Sequence, residues 1–249
     1  MKYFRPDIEL GTVLGSQDGA AEKLGGLPWG LAPERWPICA CCKKPQTLLA
    51  ELHHDHWRLN LGAAGRVLFV FHCAHDPGMC DDWDQDSGGN AVFVVESSSL
   101  GSGLTRPPVE TPVYPEARIL FWTELDDGIP SQLTPSFFSD QLYLSVDESV
   151  INQVRMSTKL GSVPAWIQSP GEAPSSFRFV GQLDSTYSFH RPLPSASLRN
   201  GLRGGLDVEA FEGRIWWAEG PNFGDGGIGY LFLKDTDGLP EAKFFWQCG

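Results

Sequence analysis

Short runs of apolar residues, separated by glycine, proline and aspartate, dominate this sequence. They are rich in β-branched and aromatic side chains, which is the pattern of short β-strands. We predict strands at residues 48–52, 67–71, 91–95, 118–123, 141–146, 179–183, 214–218, 230–233 and 243–246. Helical spacing is brief and clearest at residues 149–156. The predicted fold class is therefore α+β, predominantly β.

An internal duplication organises these strands. Residues 23–30 read Lys-Leu-Gly-Gly-Leu-Pro-Trp-Gly and residues 159–166 read Lys-Leu-Gly-Ser-Val-Pro-Ala-Trp, at a constant offset of 136. Three predicted strands follow each copy in the same order. We interpret the Lys-Leu-Gly turn as structural, because glycine permits a positive φ or a close backbone approach. We predict one domain over residues 1–249, built from two pseudo-symmetric, intertwined repeats at about 20–96 and 155–249, with a connector at about 97–117.

The charge balance narrows the choice of partners. Asp and Glu outnumber Lys and Arg by 31 to 19, which gives a formal net charge of −12. Such a surface repels nucleic acid and anionic membranes and attracts basic proteins, although it could also serve solubility alone. The sequence shows no signal peptide and no apolar run long enough to span a membrane. We therefore predict a cytoplasmic protein whose six cysteines are thiols or metal ligands.

Two pairs of cysteines form the strongest chemical motif. The first pair is spaced Cys-x2-Cys and the second Cys-x6-Cys, and the predicted strands 48–52 and 67–71 lie between them. A hairpin of those strands brings both pairs to one end, as in a zinc ribbon, and Pro77-Gly78 supplies the extra turn of the wider pair. We therefore predict one structural zinc ion on a zinc-ribbon-like hairpin in repeat one. Its ligands are Cys39, Cys42, Cys73 and Cys80.

Other ligand sets are open at this point. Cys41 could replace Cys39 or Cys42, and His72 and His75 are further substitutes. The alternative without a metal is a set of reduced, half-buried cysteines. A closed site with four protein ligands leaves no position for water, so such a zinc would hold loops together and would not activate a nucleophile.

Two dense carboxylate runs are candidate contacts for a partner protein. Neither has the spacing of a calcium-binding loop, and solvated acidic turns are common. Together with nearby exposed aromatic residues, they would steer and anchor a basic partner. The predicted contact residues are Asp81, Asp82, Asp84, Asp86, Glu124, Asp126 and Asp127.

We predict no catalytic residues. The run His53-His54-Asp55-His56 resembles a metal site, but neighbouring side chains on an extended segment point to opposite faces, so a polar hairpin loop is the simpler interpretation. The glycine-rich segment 222–229 lacks the lysine and helix of a phosphate-binding loop and is predicted to be a tight turn at Asp225. No Gly-x-Ser-x-Gly nucleophile elbow occurs.

Several segments resemble the bacterial YwqG-like family, a domain of unknown function, and the resemblance spans nearly the whole chain. They are residues 23–29, 179–184, 224–232 and 244–248. The first half is also similar to the programmed cell death protein 2 family, in which a Lys-Leu-Gly-Gly-x-Pro turn precedes Cys-x-x-Cys and a further cysteine cluster. The resemblance implies a mostly β fold of intertwined repeats and no accepted catalytic residues.

The resemblance also guides the functional expectation. Eukaryotic relatives are thought to be chaperones for a ribosomal protein, and related bacterial genes are often associated with toxin systems. We therefore predict a non-enzymatic, cytoplasmic immunity protein that neutralises a basic toxin, such as a nuclease, by direct binding. The alternatives are a dedicated chaperone for a basic nucleic-acid-binding client, or an enzyme with a cleft between the two repeats. In the enzyme, residues 53–56 or the Asp225 turn would supply the polar groups.

Overall fold

The computed structural model describes residues 1–10, 17, 19–76, 78–189, 208–211 and 215–249. Its strands are β1 (Lys2–Leu10), β2 (Lys23–Leu24), β3 (Thr47–His53), β4 (Arg66–His72), β5 (Asn90–Glu96), β6 (Ala117–Asp126), β7 (Lys159–Gly161), β8 (Arg178–Asp184), β9 (Thr186–Phe189), β10 (Val208–Phe211), β11 (Ile215–Glu219), β12 (Ile228–Lys234) and β13 (Glu241–Gln247). Its α-helices are α1 (Asp140–Tyr143) and α2 (Glu148–Ile151), and its 3-10 helices are Pro33–Arg35, Ser97–Ser99, Ser131–Phe138 and Pro170–Glu172. No helix in this described part of the chain is long and apolar enough to cross a membrane.

Ten strands form one sheet with a symmetrical order. The order is β13-β12-β8-β7-β1-β6-β2-β3-β4-β5, so four strands flank the central β1–β6 pair on each side. The pairings of this sheet are antiparallel throughout the described residues. The edge strands β5 and β13 also approach each other, which makes the sheet nearly closed. We call the line between β5 and β13 the seam. A smaller sheet has the order β10-β11-β9. The predominantly β prediction is confirmed.

Strands near the middle of each half are apolar on both faces because both faces are buried. In β4, Leu68 and Val70 belong to the core inside the sheet. On the opposite face of β4, Phe69 and Phe71 pack with Trp36, which lies in the segment before β3. The run 67–71 is therefore continuously apolar and does not alternate with polar residues.

Strand β12 repeats this arrangement in the second half. Leu231 and Leu233 join the same inner core, while Tyr230 and Phe232 face outward and pack with Trp166. The inner faces of both halves thus share one core, and each outer face has a separate aromatic cover.

The Lys-Leu-Gly turn of each copy forms a short strand with a fully buried lysine. Lys23 in β2 lies opposite Glu51, and Lys159 in β7 lies opposite Gln182. Glu51 accepts a hydrogen bond from the Trp29 N–H and Gln182 accepts one from the Ala165 N–H, both at 2.9 Å. In each half the donor lies six positions after the lysine. The turns therefore occupy equivalent places on the two sides of the β1–β6 pair.

The next equivalent positions are His53 and Asp184, at the ends of β3 and β8. The backbone N–H of His53 donates to the Glu22 side chain at 3.0 Å, and that of Asp184 donates to the Thr158 hydroxyl at 2.9 Å. Burial raises the pKa of the Asp184 carboxyl from 3.8 to about 6, against the lowering effect of the hydrogen bond from the Thr186 backbone. The second half therefore carries a carboxyl group that stays protonated to a higher pH than an exposed aspartate does.

This raised pKa leads to a prediction about pH. A folded-state pKa above the unfolded value means that the folded protein binds more protons between about pH 4 and pH 6, so stability falls as pH rises through that window. Replacing Asp184 by asparagine should remove this loss and raise the free energy of unfolding at pH 7 by roughly 2–3 kcal/mol relative to the wild type. Urea unfolding of both proteins from pH 4 to pH 8 tests this. Two parallel stability curves would contradict it.

Two predicted elements differ from the structure in the segment 140–156. The predicted strand 141–146 is wrong, because this segment is the helix α1 followed by a turn. The predicted helix 149–156 is only the single turn of α2. Tyr143, Val146 and Val150 pack together against the buried Phe137. Their spacing is helical, which explains why a strand assignment fails here.

The central strand β1 was not predicted from the sequence. Pro6 and Asp7 interrupt its apolar pattern. In the structure, β1 pairs with β7 only at Tyr3 and Phe4, and a bulge follows at Asp7/Ile8 in its pairing with β6. Pro6 is therefore placed where the strand has lost its second neighbour, and a missing N–H is tolerated there. Of the predicted strand 214–218, residues 215–218 belong to β11 and Arg214 lies outside the described residues.

Candidate metal centre

Four cysteine side chains converge at one end of the first half. The sulfur atoms of Cys39, Cys42, Cys73 and Cys80 all lie within 4.8 Å of one another, and those of Cys42 and Cys73 are 3.6 Å apart. Cys42 is partly exposed, whereas the other three side chains are buried. We call these residues the cysteine cluster. Their arrangement is compatible with a bound metal ion, as the spacing predicted.

The hairpin of β3 and β4 explains why the two pairs meet. Thr47 pairs with His72 at the open end of this hairpin, so the cysteines before β3 and after β4 emerge side by side. The turn after Cys42 is tight, since Lys43 has a φ of +61° and its N–H donates to the Cys39 carbonyl at 3.0 Å. This turn also directs the backbone N–H of Lys44 to the Cys42 sulfur.

The electrostatics of the cluster favour a cation. Burial and the neighbouring thiols raise the pKa of Cys73 to about 11, although the His75 backbone N–H lowers it, and the pKa of Cys80 is raised further by the same causes. For Cys42, desolvation is outweighed by hydrogen bonds from the Lys44 backbone and from neighbouring thiols, which lower its pKa. The buried thiols of Cys73 and Cys80 therefore resist ionisation in the protein alone, and a divalent cation would supply the stabilisation that their thiolates lack.

The alternative ligands lie outside this cluster. Cys41 is exposed, and Cys248 contacts the backbone of the Gly224 turn. His75 directs its Nε2 to the Pro45 carbonyl at 3.2 Å. His72 is buried, but both of its ring nitrogens have other partners, described below. The geometry thus selects Cys39 and Cys42 from the first group of cysteines.

Residues 78–89, which we call the acidic loop, fold around the buried carboxylate of Asp82. Its Oδ2 atom accepts hydrogen bonds from His72 Nδ1 at 3.0 Å and from Trp246 Nε1 at 3.2 Å. Its Oδ1 atom accepts from the Gly78 backbone at 2.6 Å. These donors come from β4, from β13 and from the loop itself, so one carboxylate fixes the loop to both halves of the sheet.

His72 extends this network to the connector. Its Nε2 atom lies 2.8 Å from the Tyr114 hydroxyl, and burial raises the pKa of Tyr114 to about 12. The hydroxyl therefore stays protonated and can donate to Nε2, while Nδ1 donates to Asp82. With this tautomer every polar atom of the buried His72 ring has a partner.

Backbone contacts hold the rest of the acidic loop. The Gly89 carbonyl accepts from the Cys73 N–H at 2.8 Å, and the Gly88 carbonyl accepts from the Ala40 N–H at 3.0 Å. At the seam, the Trp246 N–H donates to the Trp83 carbonyl at 3.2 Å. The cysteine cluster and the acidic loop therefore form one unit that fastens the first half to β13.

The predicted partner contacts are only partly on the surface. Asp81, Asp86, Glu124 and Asp126 are exposed, and Asp84 is partly exposed. Asp82 and Asp127 are corrections, because both carboxylates are buried. Asp82 serves the network above. Asp127 accepts hydrogen bonds from the Met1 amine at 2.7 Å and from the Ile129 N–H at 3.0 Å.

The two acidic runs also lie far apart in the sheet. Residues 124–127 end β6, which is a central strand, whereas the acidic loop lies at the seam between the edge strands. They do not form one patch. Topology explains this separation, because the pairing of β1 with β6 places β6 opposite the seam in a nearly closed sheet.

The histidine run is a turn, as predicted. His54 Nδ1 accepts from the Leu61 N–H at 3.0 Å, and the Asp55 carboxylate caps the turn by accepting from the N–H groups of Trp57 and Arg58 at 2.9 Å. His53 and His54 line a cavity of about 410 Å³ that lies within the first half.

The groove between the two halves is lined by different residues from the cavity beside His53 and His54. It has a volume of about 530 Å³, and among the described residues its walls contain neither residues 53–56 nor Asp225. Asp225 lies in an exposed turn, where Asn222 accepts a hydrogen bond from the Gly224 N–H at 2.9 Å. The polar groups predicted for an enzyme cleft between the halves are therefore not in that groove.

Sequence reasoning missed the network of His72, Asp82, Tyr114 and Trp246. His72 was considered only as a substitute ligand and Asp82 only as a surface contact. The available signal was position, since His72 directly precedes Cys73 and Asp82 follows Cys80 by two residues. Side chains next to metal ligands often orient those ligands. Here His72 and Asp82, which lie next to ligand cysteines in the sequence, hold the acidic loop in place.

Comparisons with known proteins do not add a relative to this description. No protein-family model, no curated protein and no solved structure matches the chain. The functional argument therefore starts from the cysteine cluster, the buried Asp82 network and the exposed part of the acidic loop.

Proposed function

We propose that this chain is a cytoplasmic, non-enzymatic protein-binding module, an immunity protein that neutralises a basic toxin by direct binding. The observation that carries the proposal is the acidic loop. It presents Asp81, Asp84 and Asp86 together with the 43 % exposed Trp83, while the buried Asp82 and the cysteine cluster hold its backbone. A fixed loop of this kind loses little conformational freedom when a partner binds.

We further propose that the cysteine cluster holds one zinc ion. Zinc prefers four thiolates in a tetrahedron, and Zn–S bonds of about 2.3 Å place the sulfurs about 3.8 Å apart. The Cys42–Cys73 separation of 3.6 Å is close to this value. With all four positions filled by sulfur, the ion would supply structural stability to the loop and no reactive water.

Charge supports a basic partner. The net charge of −12 gives long-range attraction to a positive surface, and the acidic loop concentrates carboxylates beside an aromatic anchor. A nuclease toxin suits this description because its own substrate is an anionic phosphate backbone. A chaperone for a basic client would use the same surface. It would differ in leaving its client active after release.

The experiment is a tagged purification from native cytosol at low salt, about 20–50 mM, where long-range attraction is least screened, with neighbouring gene products co-expressed. The expected result is one stoichiometric basic partner whose toxicity or activity is suppressed. Recovery of the protein without a partner, together with a metabolite that raises its melting temperature, would replace the proposal with the enzyme alternative.

The proposal makes a kinetic prediction for the partner so obtained. Changing Asp81, Asp84 and Asp86 to asparagine should slow association about tenfold at low salt and reduce its salt dependence, because steering depends on these exposed charges. A matched control removes the same number of charges by changing the exposed Glu9, Glu110 and Glu148 to glutamine, on β1, the connector and α2. Stopped-flow or surface-based kinetics at several salt concentrations provide the measurement. Equal slowing in the control would mean that net charge alone matters.

A further inference from the structure

A groove runs along the seam between the acidic loop and the second half. It is lined by residues 83–86 of the acidic loop and by residues 171–175, Phe177, Lys243 and Phe245 of the second half. Its volume is about 530 Å³. We call it the seam groove. It is large enough for several side chains of an extended segment.

Aromatic surface runs through the seam groove into a second depression. That depression has a volume of about 300 Å³ and is lined by Gln168, Trp246 and their neighbours. Trp83 and Glu172 line both spaces, so the two depressions adjoin at these residues. Trp83 thus forms a partly exposed ridge along a path that a peptide could follow.

The protein itself shows how the groove holds an ammonium group. Lys243 Nζ lies 2.9 Å and 3.2 Å from the two carboxylate oxygens of Asp86 and 5.6 Å from the centre of the Phe177 ring. Lys234 Nζ lies 5.7 Å from the same ring. A carboxylate beside an aromatic face is favourable for lysine and arginine, whose methylene groups cover the ring while the charge is paired.

The carboxylates that line the seam groove outnumber the cationic side chains in its lining. Asp84, Asp86 and Glu172 line it, with Lys243 as the one cationic side chain in the lining within the described residues. Among the described residues, no cationic side chain lies over the Trp83 ring. The charge of the groove is therefore complementary to a positive side chain.

We propose that the seam groove binds an extended, lysine- or arginine-bearing segment of the partner protein, with the alkyl part of one basic side chain on Trp83 and its charge near Asp84 and Glu172. This inference rests on the proposed function for the identity of the partner. The site itself follows from the groove, its aromatic ridge and its charge. Because the cysteine cluster fixes one wall, the segment would bind to a preformed surface.

A labelled peptide tests the groove without the partner. Fluorescence anisotropy would follow the wild-type protein titrated against a short fluorescein-labelled peptide of alternating lysine and glycine, at about 20 mM salt. The expected result is saturable binding that weakens about tenfold in Trp83→Ala and again in Glu172→Gln. The matched controls are Trp57→Ala, whose side chain is 83 % exposed on the histidine turn, and Glu148→Gln. Both controls should bind like the wild type.

Other outcomes overturn the inference. Equal binding by the groove variants and the controls, or equal binding of an alternating glutamate–glycine peptide, would place the interaction elsewhere or make it non-specific. If Trp83→Ala fails to fold by circular dichroism, Trp83→Phe with Asp84→Asn replaces it, and an unchanged affinity in that protein has the same meaning.

The two proposals fail separately. A partner captured from cytosol whose affinity is unaffected by Trp83→Ala and Glu172→Gln would leave the binding function intact and refute the groove as its site. Peptide binding that depends on Trp83, in a protein that captures no basic partner, would support the groove chemistry and refute the immunity function.

Discussion

Replacing Cys39 by serine is expected to abolish binding of the proposed zinc ion and to lower the free energy of unfolding by several kcal/mol. A hydroxyl is a poor substitute for a thiolate ligand of zinc, and structural zinc sites contribute on the order of 10 kcal/mol of apparent binding energy in small domains at neutral pH. Cys39 is also fully buried, so nothing in solvent can replace its sulfur. Metal content by mass spectrometry and thermal unfolding of the purified protein would measure both effects.

The matched control is Cys41→Ser, two positions along the same turn. Cys41 is exposed and lies outside the cysteine cluster, so this variant should keep one metal per chain and an unchanged melting temperature. A chelator should destabilise the wild type and Cys41→Ser equally and should leave Cys39→Ser unaffected. A metal-free Cys39→Ser protein that is folded and as stable as the wild type would refute a structural role for the metal.

Replacing Asp82 by alanine should destabilise the protein by about 3–5 kcal/mol, because three hydrogen-bond donors lose a charged acceptor, at a cost of about 1–3 kcal/mol each. Three donors would lose their acceptor at once: His72 Nδ1, Trp246 Nε1 and the Gly78 N–H. The His72 and Trp246 donors would then be buried polar groups without a partner, while the Gly78 N–H is partly exposed. Because the loop is also held at the cysteine cluster, we expect unfolding at lower urea concentration with retained metal.

The control for this variant is Asp84→Ala in the same loop. The Asp84 side chain accepts only a local hydrogen bond from the Asp86 N–H at 2.8 Å and is partly exposed, so its loss should cost about 1 kcal/mol or less. A double-mutant cycle of Asp82→Ala with Trp246→Phe should show a coupling of about 1 kcal/mol or more, because the indole N–H donates directly to the Asp82 carboxylate. Additive effects, or equal effects of the two aspartate variants, would contradict the network.

The sequence predicts those parts of the fold whose residues form a clear pattern over a short stretch of chain. The runs at 67–71 and 230–233 were identified as strands because both of their faces are buried and apolar, which leaves an uninterrupted signal. The cysteine cluster was predictable for a similar reason. Spacing within each pair and a hairpin between the pairs are local features, and together they place four sulfurs at one end.

The parts that escaped prediction depend on contacts between distant segments. Strand β1 contains Pro6 and Asp7, which interrupt its apolar pattern. Its strand conformation is explained only by its pairing with β6, more than a hundred residues later. Asp82 reads as one more acidic residue in a polar run, and its burial is decided by Trp246 at the far end of the sequence. Charge patterns describe a surface only after the fold has determined which carboxylates lie on it.

The symmetrical strand order has a consequence for how the chain folds as it is synthesised. The hairpin of β3 and β4 and its four cysteines leave the ribosome long before β13, so all four ligands of the proposed zinc ion are available while the chain is still being synthesised. The hydrogen bond between Asp82 and Trp246, however, can form only after β13 is synthesised, and β1 can pair with β6 only after β6 is synthesised. Pairings so distant in sequence form slowly, since loop closure comes before any contact energy. We therefore expect an early, metal-loaded intermediate whose seam is still open, and the docking of β13 as the final step.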